Sequence, residues 1–215
     1  MSPRRPEQNE EIRAERRKQI LETAIPLFAR QGFDATSVSQ IAREAGVSHG
    51  TIFLYFPTKE ELFTAAVVEP LLDAEVHYRS ILQGEGSPLD RIERLIREQV
   101  TIFALGESKV RLIHSVLGQR DRFAHLLPEI YAYTDRYART LSPLIVEGQR
   151  AGELGPGDPR AIAFAYFAYL NGVTLISDPP GSAYFQETLE TFIAYGLRLF
   201  APLKEDHPHG HRLPG

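Results

Sequence analysis

Residues 48–59, Ser48-His49-Gly50-Thr51-Ile52-Phe53-Leu54-Tyr55-Phe56-Pro57-Thr58-Lys59, hold a cluster whose types and spacing suggest a defined, non-covalent chemistry. Written as a helix, Ile52 and Phe56 lie four positions apart and point into a small core, while His49, Gly50, Phe53 and Leu54 share the opposite side. Two large apolar side chains and an imidazole are poor choices for a face left in water. They suit a helix whose N-terminal end enters a DNA major groove, where apolar groups touch thymine methyls, and Gly50 allows close backbone approach. Lys59 adds a second argument. A cation at the first position of a helix opposes the macrodipole, at a cost of about 0.3–1 kcal/mol. A phosphate there would meet the lysine, the free helix amides and the Tyr55 hydroxyl together, which is a clamp on a nucleic-acid backbone. Arg13, Arg16, Arg17 and Lys18 either reach flanking phosphates or form a solvated charged face.

Other chemistries lack their residues. The chain has no cysteine, which removes disulfides, thiolate catalysis and Cys-ligated metals, and it carries no nucleophile elbow, phosphate-binding glycine loop or HExxH helix. It is therefore expected not to be an enzyme. A net charge of −4 over 215 residues rules out a basic coat, but the sign is uneven: residues 1–59 carry +2 and the remainder −6. Contact with a polyanion must come from local placement. The longest apolar run, 161–170, is about half of the roughly 20 residues a membrane span requires. The charged N-terminus has no apolar signal stretch, so the expected location is cytoplasmic, with no membrane partner. His207, His209 and His211 alternate as in a metal-binding tract, but in a Pro/Gly-rich terminus they read as part of a flexible tail, 203–215. No metal or cofactor is expected.

The elements that must position the cluster are all helical, since no stretch alternates apolar and polar residues as a half-buried strand does. A first helix over 10–31 carries the stripe Ile20, Leu21, Ala24, Ile25 and Phe28. Gly32 ends it, with Phe33 folding back on Phe28. Ser37 and Gln40 write a capping box before a helix stopped by Gly46. Ser48 caps the next helix, with Val47 and Ile52 as its hydrophobic staple, and Thr58 with Glu61 opens a fourth that runs to about 82. Further helices are expected at about 89–105, 108–118, 128–151, 159–177 and 183–200, with Pro26 and Pro143 bending two of the helices. The domains read as 10–63, a three-helix unit with a helix-turn-helix, and 64–202, a larger helical unit.

With these residues in place, the segment 17–63 resembles the N-terminal domain of the TetR/AcrR family of bacterial transcriptional regulators. The resemblance rests on F-x-x-x-G-F at 28–33, T-S-V at 36–38, I-A-x-x-A-G-V-S at 41–48 and T-I-F-L-Y-F-P-T-K-E-E-L at 51–62. It implies DNA contacts from Ser37 and Ser39, from Ser48, His49, Gly50, Thr51, Phe53 and Leu54, and from Tyr55 and Lys59, with Arg17 added from the charge pattern. The chain departs from the family at Phe53, where a tyrosine commonly bonds a phosphate; Phe53 is left to act by packing. Beyond about residue 70 the resemblance is architectural only.

There the physics of burial takes over. The segment 160–177 is apolar nearly all round, so as a helix it needs cover on more than one side, and a second subunit supplies it. Phe164, Phe167 and Ala168 on this helix, with Phe185, Leu189, Phe192 and Gly196 on the last one, are the candidate contacts; Gly196 would admit a partner helix closely. The resemblance implies a four-helix homodimer interface from these two helices. A dimer predicts a palindromic double-stranded DNA operator. An unidentified small-molecule effector, apolar or aromatic, is expected among Phe103, His114, Leu117, Tyr131, Tyr137, Tyr166, Tyr169 and Asn171. Family habit favours repression. The alternatives are an activator, or a ligand-binding dimer without DNA-binding activity.

Overall fold

A computed structural model describes residues 6–177 and 181–201, and the His207, His209 and His211 tail lies outside them. Among the described residues every regular element is helical: α1 (Pro6–Ala35), α2 (Val38–Glu44), α3 (His49–Tyr55), α4 (Lys59–Leu82), α5 (Pro88–Ala104), α6 (Ser108–Gly118), α7 (Leu127–Arg150), α8 (Pro159–Ile176) and α9 (Phe185–Arg198), with a 3₁₀ turn at Ala124–Leu126. None is long and apolar enough to cross a membrane.

Local chemistry sets most boundaries. Gly32 breaks α1 with φ 77°, and its residues to Ala35 form a further turn rather than ending at 31. Thr36 is fully buried there, and its hydroxyl donates 2.8 Å to the Gly32 carbonyl and 3.3 Å to that of Leu27. Phe33 does fold back, stacking on Phe28 with centroids 6.2 Å apart. Ser37 Oγ accepts from Gln40 N at 3.1 Å, Ser48 Oγ from Thr51 N at 3.1 Å and Thr58 Oγ1 from Glu61 N at 3.0 Å. The box at Ser37 is only half made, because the Gln40 amide turns forward to Glu44 instead of back to the cap. The reciprocal box lies at Ser87 and Asp90, at the head of α5. Asp158 caps Ala161 N at 2.7 Å, with Pro159 beginning α8.

Two cores result. The first joins the inner faces of α1–α3, including Phe28, Ile41, Ile52 and Phe56, to Leu62, Phe63 and Val67 of α4 and to Leu112, Val116, Phe123 and Ile130 from α6 onward. Phe63 is its hinge: its ring lies 5.0 Å from each of Phe28, Phe33 and Phe123. The helix-turn-helix unit therefore borrows cover from residues some sixty positions downstream, because seven-residue helices cannot enclose a core alone. The second core packs α5, α7, α8 and α9 around Leu95, Ile96, Leu141, Ile145 and Tyr166.

Candidate nucleic-acid interface and ligand cavity

The short α2 and α3 are held by capping at both N-termini and by Gly46, which takes φ 64° so that Val47 N can reach the Ala42 carbonyl at 2.9 Å. Gln19 of α1 ties down the end of α2 through the Ala45 carbonyl at 3.0 Å. With Ile52 and Phe56 buried, His49, Gly50, Phe53 and Leu54 face solvent; Leu54 is 73% exposed and Phe53 39%. His49 and Phe53 meet edge to face, 5.0 Å between centroids. Ser37, Ser39 and Ser48 are also exposed, and Thr51 and Tyr55 half-buried. A Cβ on Gly50 would meet nothing closer than Ser48 Oγ at 4.0 Å. His49, Gly50, Phe53 and Leu54 are thus exposed together at the N-terminal end and outer side of α3.

Two cations have protein partners that the sequence did not reveal. Lys59 is half-buried, its Nζ 4.4 Å over the Phe33 ring and donating to the Asp34 carbonyl at 3.3 Å, so the unfavourable dipole is partly offset within the chain. Arg17 makes a two-pronged pair with Glu69 of α4, Nη1 to Oε2 at 2.7 Å and Nη2 to Oε1, and its guanidinium lies 4.7 Å over the Phe56 ring. The Glu69 hydrogen bond raises the Arg17 pKa. This fork clamps α1 to α4 over the end of α3, so Arg17 is engaged in positioning α3. Arg122 pairs with Asp34, which holds that carboxyl below its usual range.

A cavity of about 450 Å³ opens between α4, α5, α6, α7 and α8. Of the residues expected to line it, Phe103, His114, Leu117, Tyr131 and Asn171 do border it. Tyr137, Tyr166 and Tyr169 do not, and this corrects the expectation. Tyr137 is buried and donates to Gln99 Oε1 at 2.9 Å, Tyr166 is fully enclosed in the second core, and Tyr169 donates to the Phe192 carbonyl at 2.5 Å. In their place Tyr78, Tyr133, Leu71, Ile102, Thr134 and Phe167 complete the wall. A signal existed for two of them: Leu71, Ala74, Tyr78 and Leu82 form one helical stripe on α4, and Ile130, Tyr133, Tyr137 and Leu141 another on α7. Burial pushes the Tyr78 phenol up to about 12, and the same cause raises Tyr133 and Tyr137, so all three stay neutral near pH 7. The rim is charged, with exposed Asp73, Glu107, Lys109 and Arg120. A second groove of about 470 Å³ lies against α1, bordered by Glu22, Ile25 and Pro26, and shares Glu107 and Lys109 with the cavity.

The residues expected at a dimer interface divide. Phe164, 39% exposed, and Ala168 lie on an outer stripe of α8 with Ala161, Ala165, Leu175 and Ile176, the last two 76% and 72% exposed. Phe167 instead faces inward against Tyr133 and Tyr137, Leu189 is buried in the second core, and Phe185 and Phe192 are half-buried against it. Gly196 admits a neighbour from its own chain: a Cβ there would lie 3.0 Å from Ile96 Cγ2 and 3.3 Å from the Tyr169 ring. The wide apolar surface of α8 is shared between α7 and α5 inside the subunit and solvent outside.

Residues 20–66 match the family model described as bacterial regulatory proteins, tetR family, and residues 85–200 match that of a tetracyclin repressor-like C-terminal domain. The chain is 30% identical over 155 residues to the HTH-type transcriptional regulator RutR of Escherichia coli (strain K12), covering 71% of each chain. Its fold is similar to that of AibR, solved in complex with isovaleryl coenzyme A and operator DNA. The TM-score is 0.66 at 21% identity, covering 87% of this chain and 99% of that one. It is also similar to FadR from Bacillus subtilis in complex with stearoyl-CoA, with a TM-score of 0.64 at 22% identity and coverage of 87% and 99%.

Proposed function

Since the chain belongs to the tetR family of bacterial regulatory proteins, we propose that it is a homodimeric transcriptional repressor that reads a palindromic operator and is released by a small apolar or aromatic effector. The observation that carries this reading is the outer side of α3. A well-capped helix buries Ile52 and Phe56 and presents His49, Gly50, Phe53 and Leu54 to water, where among the described residues the His49–Phe53 contact is the side-chain ring contact they make. In the groove, Phe53 and Leu54 have thymine methyls to cover and His49 a base edge or phosphate to bond. Ser37, Ser39, Ser48, Thr51, Tyr55 and Lys59 flank them, and Arg17 holds the end of α3 in register through Glu69 and Phe56.

Dimerisation uses the outer stripe of α8, Phe164, Ala168, Leu175 and Ile176, with exposed Tyr195 of α9 and Leu199 just past its end. The effector occupies the cavity between α4 and α8. Support comes from its apolar depth and charged rim, where Lys109 and Arg120 stand with Asp73 and Glu107, a division of chemistry that suits an apolar group on a polar carrier, as in the ligands bound to AibR and FadR. Coupling follows from Glu107 and Lys109, which border the cavity on one side and the α1 groove on the other. An effector that spreads them tilts α6 against α1 and changes the separation of the two reading heads, to the extent that it binds the two arrangements unequally.

The reading is tested by selecting bound fragments from sheared genomic DNA with the purified protein at about 0.15 M salt, where non-specific phosphate binding is weakened. The expected product is a palindrome whose half-sites are centred about one helical turn or a multiple apart. Fragments with no shared sequence would refute it. Ala74→Trp provides a separate check on the effector site, since Ala74 borders the cavity from α4. The indole occupies the cavity, so operator affinity is retained while an inducing extract no longer releases the protein, with effector affinity down about 100-fold or more. Retained release in a gel-shift assay would place the effector elsewhere.

A further inference from the structure

His114 of α6 and Asn171 of α8, 57 positions apart, meet at the cavity wall with His114 Nε2 2.8 Å from Asn171 Oδ1. The direction of this hydrogen bond is fixed by a third group. The other end of the Asn171 amide lies 2.7 Å from the Phe167 carbonyl oxygen, which can only accept, so the amide nitrogen is there and Oδ1 faces the histidine. Oδ1 also can only accept, so Nε2 carries the proton. In the neutral imidazole the remaining nitrogen, Nδ1, is then a hydrogen-bond acceptor and cannot donate.

Nδ1 has no protein partner among the described residues, and it is not enclosed either: the buried side-chain polar atoms left without a partner there are Tyr166 Oη, Thr174 Oγ1 and Ser182 Oγ. His114 is half-buried and borders the cavity, whose wall includes the apolar Val110, Ile113, Leu117 and Phe167. Covering Nδ1 with a purely apolar ligand would strip its water and leave it unpaired, which weakens binding. The acceptor-only carboxylates of Asp73 and Glu107 are exposed at the rim, and the hydroxyls on the wall do not select in this way. The Tyr133 phenol can donate or accept, and the Thr134 hydroxyl already donates to the Ile130 carbonyl at 3.1 Å.

We propose that the effector is an apolar molecule bearing a hydroxyl or N–H donor, which His114 Nδ1 accepts, with Asn171 as the positioning residue that fixes the imidazole tautomer. The proposal rests on the reading of this cavity as the effector site.

Its test uses the full chain labelled with ¹⁵N-histidine and two probes of nearly equal size, 4-butylphenol and its methyl ether 4-butylanisole, which lacks the donor. Long-range ¹H–¹⁵N spectra, with His114 assigned by its loss in His114→Phe, are expected to show the Nε2–H tautomer in the free protein. The phenol is expected to bind about tenfold more tightly than the ether and to move the Nδ1 resonance. In Asn171→Leu the tautomer is released and the preference shrinks; this variant keeps the experiment informative if His114→Phe unfolds. Equal affinities for the two probes, or an Nδ1–H tautomer in the free protein, would overturn the proposal and leave the cavity as an effector site. Failure of both probes to bind, with operator binding intact, would overturn the proposal together with the apolar effector reading, but not the DNA-binding one.

Discussion

Gly50→Leu is expected to lower operator affinity by about 100-fold or more, roughly 2.7 kcal/mol, without unfolding the protein. Gly50 sits in the first turn of α3, and a side chain there projects into open space, its Cβ 4.0 Å from Ser48 Oγ and clear of other side chains. Leucine costs nothing in the folded monomer. It replaces a residue of low helix propensity and so leaves stability unchanged or raises it by up to about 1 kcal/mol. In the complex the same side chain occupies the space where the helix N-terminus must approach phosphates and base edges. Fluorescence anisotropy on the selected operator, set beside thermal melting by circular dichroism, separates the two effects. Undiminished affinity would mean that the start of α3 does not enter the groove.

A second large effect is expected from Phe164→Glu. Phe164 occupies the outer stripe of α8, between exposed Ala161 and Ala168, with no role in either core. Across a two-fold axis the new carboxylate meets its own copy in a desolvated surface, which opposes association through both burial and like-charge repulsion. The variant should elute as a single 24.2 kDa chain. Its affinity for the full palindrome should fall by about 10²–10⁴-fold through loss of linked binding. Affinity for an isolated half-site and binding of 4-butylphenol should persist. A variant that still sediments as a dimer would move the interface off this stripe, toward the α4 surface where Leu72 and Val76 are also exposed.

Both expectations depend on faces, and the two faces were legible in the sequence to different degrees. In α3 the pattern is short and unambiguous. Ile52 and Phe56 repeat at a helical interval, Ser48 and Pro57 bound the element, and a helix with one small core to cover has one way to lie. The inward and outward residues named from periodicity are those found. The caps at Ser37, Ser48, Thr58 and Asp158 were equally readable, because an N-cap is a contact over three residues and needs no distant partner.

Contacts between distant segments were not readable in this way. Arg17 and Lys59 look alike as surface cations, yet one is forked onto Glu69 and the other set over Phe33, because the chain's return through α4 brings those partners near. Tyr133 and Tyr137 lie on one stripe of α7, and the placement of Gln99 on α5 decides that Tyr137 is sealed in the core while Tyr133 borders the cavity. Along α8, where nearly every residue is apolar, periodicity selects no face. Phe164 could be assigned outward and Phe167 inward only after α7 and α5 had taken their places, and Gly196 was found to seat Ile96 where a partner helix had been expected. Sequence alone determined the helices and which side of α3 is exposed, since each follows from interactions within a few residues of chain; the ends followed only to within a few residues, α1 reaching Ala35 where 31 was expected. The cavity, its polar pair and the side of α8 left in solvent were decided by the tertiary structure, because burial at those positions is supplied by segments about thirty to a hundred residues away, from Tyr137 and Phe167 to Ile96 and Gly196.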